Sequence, residues 1–161
     1  MSDILFKNDD YIFSYRVGGL LIQNGKILLQ HIPGDEGYAI VGGHVAFGEV
    51  TSETLMREFK EEIHADIKIE RLLLVGENFF RWDSRPCHQI NLYYLVSLLD
   101  ESQIPLDGTF KAFDKMGNER INLEMSWIPI SKLHNMIVYP KEIKEHIFNL
   151  PDEIVYFVHK E

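Results

Sequence analysis

Three glutamates, Glu58, Glu61 and Glu62, stand close together in the stretch GHVAFGEVTSETLMREFKEEIHA, residues 43–65. Their i, i+3, i+4 spacing puts all three on one face if the segment is helical. At about 100° per residue they edge an apolar stripe of Leu55, Phe59 and Ile63, with Met56 beside it. Like charges one turn apart repel, so the arrangement needs compensation. A hard divalent cation provides it: Mg²⁺ takes carboxylate and carbonyl oxygens, keeps several waters and bridges to substrate phosphates. The Gly42-Gly43 turn is placed to offer a backbone carbonyl to the same ion. Arg57 can hold a carboxylate through a bidentate pair, and Glu49, just upstream, can reach the cluster. A bare ExxEE also describes an acidic helix face bathed in solvent, so spacing alone leaves both readings open.

The elements that must position these residues are legible. Thr51–His64 reads as a helix, with Thr51 or Ser52 as N-cap and Glu53 in the first turn, where it suits the helix dipole. Tyr15–Gln23 and Lys26–Ile32 are apolar, β-branched runs around Asn24-Gly25, a two-residue hairpin signal. After a loop holding Pro33, Gly34 and Gly37, a short strand, Tyr38–Val41, leads into Gly42-Gly43. Ile67–Glu77 and Gln89–Leu99 are long strand candidates. Asp107–Glu119, with Gly108, Gly117 and several charges, predicts a mobile loop or irregular hairpin. A strand over Leu123–Ile130, a helix over Lys141–Leu150 opened by Pro140, and a final strand or docked tail over Ile154–His159 complete the pattern. Strands with helices on their faces imply a layered α/β or α+β domain.

Composition narrows the partners. The chain has 161 residues, enough for one domain spanning residues 1–161. Its net charge of −9 excludes bulk nucleic acid and anionic membrane surfaces as expected partners. A small phosphorylated substrate would need local cations or a metal to hold it. Cys87 is the single cysteine, which excludes a disulfide scaffold and fits a reducing cytosol. The first residues carry no secretory pattern, and no apolar run approaches the roughly 20 residues that cross a bilayer. A cytoplasmic protein is therefore expected, with a homodimer as the default assembly.

The full spacing from Gly43 resembles the Nudix box, G-x5-E-x7-R-E-U-x-E-E-x-G-U with U apolar: Gly43, Glu49, Arg57-Glu58, Phe59 and Glu61-Glu62 all match. The second glycine of the box is His64 here, which bears on how the helix ends, and the last apolar position is the small Ala65. Val41 stands where the family often has proline before the double glycine. The resemblance implies an α/β/α sandwich around a mixed sheet. It also implies Mg²⁺- or Mn²⁺-dependent hydrolysis of a nucleoside diphosphate linked to another moiety.

Carried over, Glu58, Glu61 and Glu62 are metal ligands with the Gly42 carbonyl nearby. Arg57 orients Glu58, and Glu49 binds or positions a second metal. The general base is then Glu58 or Glu61; in parts of the family it comes from a later loop, where Glu119 and Glu124 are candidates. A non-catalytic nucleotide-binding or regulatory module on the same fold is the alternative, although such proteins usually lose box carboxylates. Beyond the box, Phe80 and Arg81, in the run Glu77–Trp82, with His44 and His88, are candidates to line a substrate pocket. Phe79 and Trp82 fit a core equally well. Arg85 suits a phosphate, and Lys111, Lys115 and Arg120 suit a lid over an anion. The choice of diphosphate belongs to loops outside the box.

Overall fold

The computed structural model describes residues 2–116 and 118–161; Gly117, inside the expected 107–119 loop, lies outside them. The strands are β1 (Leu5–Lys7), β2 (Ile12–Gln23), β3 (Lys26–His31), β4 (Tyr38–His44), β5 (Ile67–Trp82), β6 (Arg85–Leu98), β7 (Thr109–Met116), β8 (Glu119–Pro129), β9 (Val138–Tyr139) and β10 (Val155–Lys160). Helix α1 (Thr51–Ile63) follows β4, a 3-10 turn (Ile130–Asn135) follows β8, and helix α2 (Ile143–Phe148) precedes β10. The strands run in the order β10-β5-β6-β2-β4-β3-β8-β7, with β1 paired to β2 and β9 to β4. The pairs β2–β6, β5–β10 and β4–β9 are parallel and the neighbouring pairs antiparallel, so the sheet is mixed.

Alternation along the strands builds two apolar layers. Val17, Leu21, Leu28 and Val41 point to one face, where Leu55, Phe59 and Ile63 of α1 pack on them. Leu20, Ile27, Leu29 and Ile40 point to the other, under Leu133, Ile143 and Ile147. Each fully buried aliphatic or aromatic side chain contributes about 1.5–3 kcal/mol, so the α1 stripe is what holds the helix on the sheet. The result is helix, mixed sheet, helix, as the resemblance implied.

Several boundaries differ from expectation for identifiable reasons. The N-cap of α1 is Val50, not Thr51 or Ser52; its backbone N–H is bonded by the Glu53 carboxylate at 3.3 Å. The helix ends with His64 in the left-handed region, φ 59°. The His64 N–H donates to the Lys60 carbonyl and the Ala65 N–H to that of Phe59, a left-handed ending of the αL type made without glycine. Strands β5 and β6 run past Glu77 because Asp83 and Ser84, both at positive φ, close a tight turn that the sequence does not advertise with Asn-Gly. Much of the segment expected as a mobile loop or irregular hairpin is β7, paired residue for residue with a longer β8, so of the two readings the hairpin holds. Helix α2 is shorter than Lys141–Leu150.

Candidate active site and metal centre

Gly43, near the end of β4, is where the box helix meets the sheet. A Cβ at this position would lie 2.3 Å from Cδ of Glu58, so only glycine lets that carboxylate rest against the strand. The preceding Gly42 is equally tight, since its Cβ would fall 2.0 Å from the Val17 carbonyl on β2. Glu58 and Glu62, one helical turn apart, face inward and are 8% and 5% exposed. Asp114, projecting from β7, brings a third carboxylate: one oxygen from each of Glu58, Glu62 and Asp114 lies within 4.8 Å of the others.

Burial pushes the Glu58 carboxyl up to about 7, against the pull of Arg57. Burial also raises Glu62 well above the usual carboxylate range, with Glu58 and Asp114 adding to the shift, and it raises Asp114. Neither oxygen of Glu62 has a hydrogen-bond donor. Buried carboxylates without donors are strongly unfavourable unless a cation is shared among them. The donor set is all oxygen and anionic, which matches Mg²⁺ or Mn²⁺ rather than a softer metal.

Arg57 organises the rim. Its Nε and Nη2 donate to the two oxygens of Glu49 at 2.8 and 3.0 Å, a bidentate fork. Its Nη1 donates to Glu58 at 3.0 Å and to Glu61 at 3.2 Å. Thr54 adds a hydroxyl to Glu49 at 2.8 Å. The Arg57 and Thr54 hydrogen bonds hold Glu49 below its ordinary pKa. Glu61 stays at the surface, its side chain 61% exposed, tied to the cluster through Arg57. The spacing of the helix placed the three glutamates on one face. The structure divides that face into an inward pair, Glu58 and Glu62, and an outward Glu61.

Asp114 was missed by sequence reasoning because it sits in the stretch read as a mobile loop or irregular hairpin, with no register to say which side chains face inward. The signal was present as an alternation of Phe110, Ala112 and Asp114, which puts an acid at the next inward position of a strand. Of the candidate late bases, Glu119 opens β8 and is exposed, and Glu124 approaches His31 at 3.6 Å. The proposed lid cations lie on the β7–β8 hairpin, with Lys115 opposite Arg120 and the Arg120 guanidinium over the Phe113 ring.

A cavity of about 800 Å³ is lined by Arg16, Phe80, Arg81, Asn78, Gln89 and Asn91, among others. Phe80 and Arg81 thus fall in a pocket wall. Arg81 also donates its guanidinium to the Ser84 carbonyl and its backbone N–H to Glu161. Arg85 is occupied with the Asn8 carbonyl at 2.7 Å. His44 lies on the strand beside Arg16, with Nε2 3.1 Å from the Ser14 hydroxyl, which in turn donates to Gln89. Burial, with Arg16 and Lys7 nearby, lowers its pKa to about 3, so its ring is neutral. His88 points elsewhere, to Glu77 at 3.1 Å and against the Phe79 ring, in a second hollow shared with Phe13 and Cys87.

Among the described residues no helix is long and apolar enough to cross a membrane. The family model described as NUDIX domain matches residues 13–147. Solved structures share the fold. A MutT protein from Bacillus halodurans aligns with TM-score 0.62 at 14% identity, covering 91% of this chain and 89% of that one. An ADP-ribose pyrophosphatase from Streptococcus suis aligns at 0.57 and 14%, covering 89% and 98%. A UDP-X diphosphatase aligns at 0.56 and 22%, covering 88% of this chain but only 66% of its own length.

Proposed function

The chain belongs to the Nudix family of pyrophosphohydrolases, and from that premise we propose that it hydrolyses the pyrophosphate bond of a small nucleoside diphosphate linked to another group, using Mg²⁺ or Mn²⁺. The observation that carries this reading is the inward pair Glu58 and Glu62 with the half-buried Asp114, three carboxylates close enough for one divalent cation to unite, the Glu62 oxygens having no other partner. The solved structures with this fold include one named for UDP-X and one for ADP-ribose, which supports a nucleotide-linked diphosphate as the substrate type.

When bound, the cation supplies charge neutralisation along the pyrophosphate and lowers the pKa of the attacking water. Glu58, Glu62 and Asp114 would hold it, with Gly43 letting the Glu58 carboxylate rest against the strand. Arg57 fixes Glu49 through its fork and steers Glu58 and Glu61 with its remaining N–H group. Glu61, exposed and tethered, is the carboxylate open to water and takes the proton from it. Glu49, kept ionised by its Arg57 and Thr54 hydrogen bonds, adds negative charge at the rim for a further cation.

A hydrolysis screen over diphosphate-linked compounds with Mg²⁺ and Mn²⁺, with product masses read out, tests this. Cleavage between the two phosphates of at least one nucleotide substrate is expected. Tight nucleotide binding without turnover across the panel would instead identify a binding module.

A further inference from the structure

The two ends of the sheet are finished differently. At one end, β7 carries Lys111, Asp114 and Lys115, the kind of charge that keeps an edge strand from pairing. At the other, β10 reads Val155-Tyr156-Phe157-Val158-His159-Lys160, with no proline, glycine or register shift, and its one lysine comes last. Valine, tyrosine and phenylalanine favour extended pairing. The strand is anchored on its inner side. Phe157 joins the core layer of Ile143 and Ile147, and Gly76 of β5 makes the room, since a Cβ there would lie 2.6 Å from the Phe157 ring.

The outer side is open. Glu161 donates its N–H to the Phe79 carbonyl on β5. The two-residue period of the parallel ladder then turns the backbone groups of Val155, Phe157 and His159 toward β5, and those of Tyr156, Val158 and Lys160 away from it. Among the described residues no strand pairs with that rim. The side chains beside it are apolar and bare: Ile154 and Tyr156 are each 59% exposed and Val158 is 40% exposed.

We propose that β10 is a dimerisation edge, to which a second copy of this chain adds its own β10 antiparallel about a two-fold axis at Val158, joining two sheets into one. Directly opposed antiparallel residues share a sheet face, so the axis must fall on a residue, and Phe157 and Val158 are the central ones. Centring on Phe157 would set Glu153 against Glu161, like charges face to face. Centring on Val158 sets Tyr156 opposite Lys160 on both sides of the axis. The Lys160 ammonium of one copy then meets the Tyr156 ring of the other, whose hydroxyl donates to the Glu77 carboxylate. Cation faces aromatic ring and anion twice, which is the charge complementarity that selects a second copy over an unrelated strand. The three outward residues of each copy pair completely, closing about six backbone hydrogen bonds. The contact is small, so dissociation in the micromolar range is expected.

Sedimentation equilibrium from low micromolar to several hundred micromolar protein tests the edge. The wild type should pass from monomer to dimer over that range. Val158→Lys, which sets two ammonium groups against each other at the axis, should weaken dimerisation at least about 10-fold. A cysteine crosslink tests the register and does not depend on that variant folding. Residues paired across the axis stand about 5.5 Å apart at Cα, within disulfide reach. Val158→Cys should therefore form a disulfide-linked dimer on mild oxidation, Cys87 being the only other thiol and buried. Tyr156→Cys, offset from its own copy by about 14 Å along the strand, should not. A wild type that stays monomeric throughout, undiminished dimerisation in Val158→Lys, or crosslinking of Tyr156→Cys in place of Val158→Cys would overturn the proposal.

Discussion

The acidic cluster and the amide-lined cavity are built in opposite ways. The cluster draws nearly everything from residues 42–62, a strand end and one helix, and takes only Asp114 from elsewhere. The cavity draws Arg16 from β2, Gln30 from β3, Asn78 from β5, and Gln89 and Asn91 from β6. Both hold buried polar atoms without partners. The first set is charged and local, and so suits an ion. The second combines the Arg16 cation with amides and is dispersed over four strands. Chemistry encoded by helical spacing can be read from a sequence, whereas chemistry encoded by strand register waits for the pairing.

The largest expected effect breaks the cluster. Glu62→Gln should cut metal-dependent turnover by about 100-fold or more, as expected when a metal ligand is lost. In chelator at pH 7.5 the same substitution should stabilise the fold by about 1–3 kcal/mol, because it removes a carboxyl whose ionised form burial disfavours. Paired turnover and denaturation measurements check both signs.

The next effect sharpens the contrast through pH. Glu58 has its folded-state pKa raised to about 7, so the fold favours its protonated form. Below the ordinary value near 4.5 both folded and unfolded chains are protonated and stability is at its fullest. As pH rises from there through 7, the metal-free protein should lose about 3 kcal/mol, with Glu62 pulling the same way. Denaturant unfolding in chelator at pH 5 and pH 7.5 measures the loss. The slope should flatten in Glu58→Gln and shrink when a divalent cation is added.

The smallest effect lies at the helix exit. His64 holds a left-handed conformation that costs an L-residue energy, and glycine adopts it freely. His64→Gly should raise stability by about 0.5–1 kcal/mol in thermal or denaturant unfolding, net of the added freedom of the unfolded chain.

These residues also show how far the sequence could be read. The α1 stripe, the Asn24-Gly25 hairpin and the Arg57–carboxylate relation were legible because each depends on neighbours a few positions apart. The inward and outward division of Glu62 from Glu61 was not, since both lie on one helical face until Gly43 and β7 show which side is covered. Asp114 was hidden because charges and glycines around it imitate a loop, while the strand is imposed by pairing with β8. The turn at Asp83-Ser84 was equally silent, its positive φ values being borne by residues that tolerate rather than announce them.

Mn²⁺ titration followed by calorimetry on the wild type, Glu62→Gln and Asp114→Asn tests the central claim most directly. The account predicts binding to the wild type that weakens by about 10-fold or more in each variant, Asp114→Asn included. Undiminished Mn²⁺ affinity in both variants would contradict it.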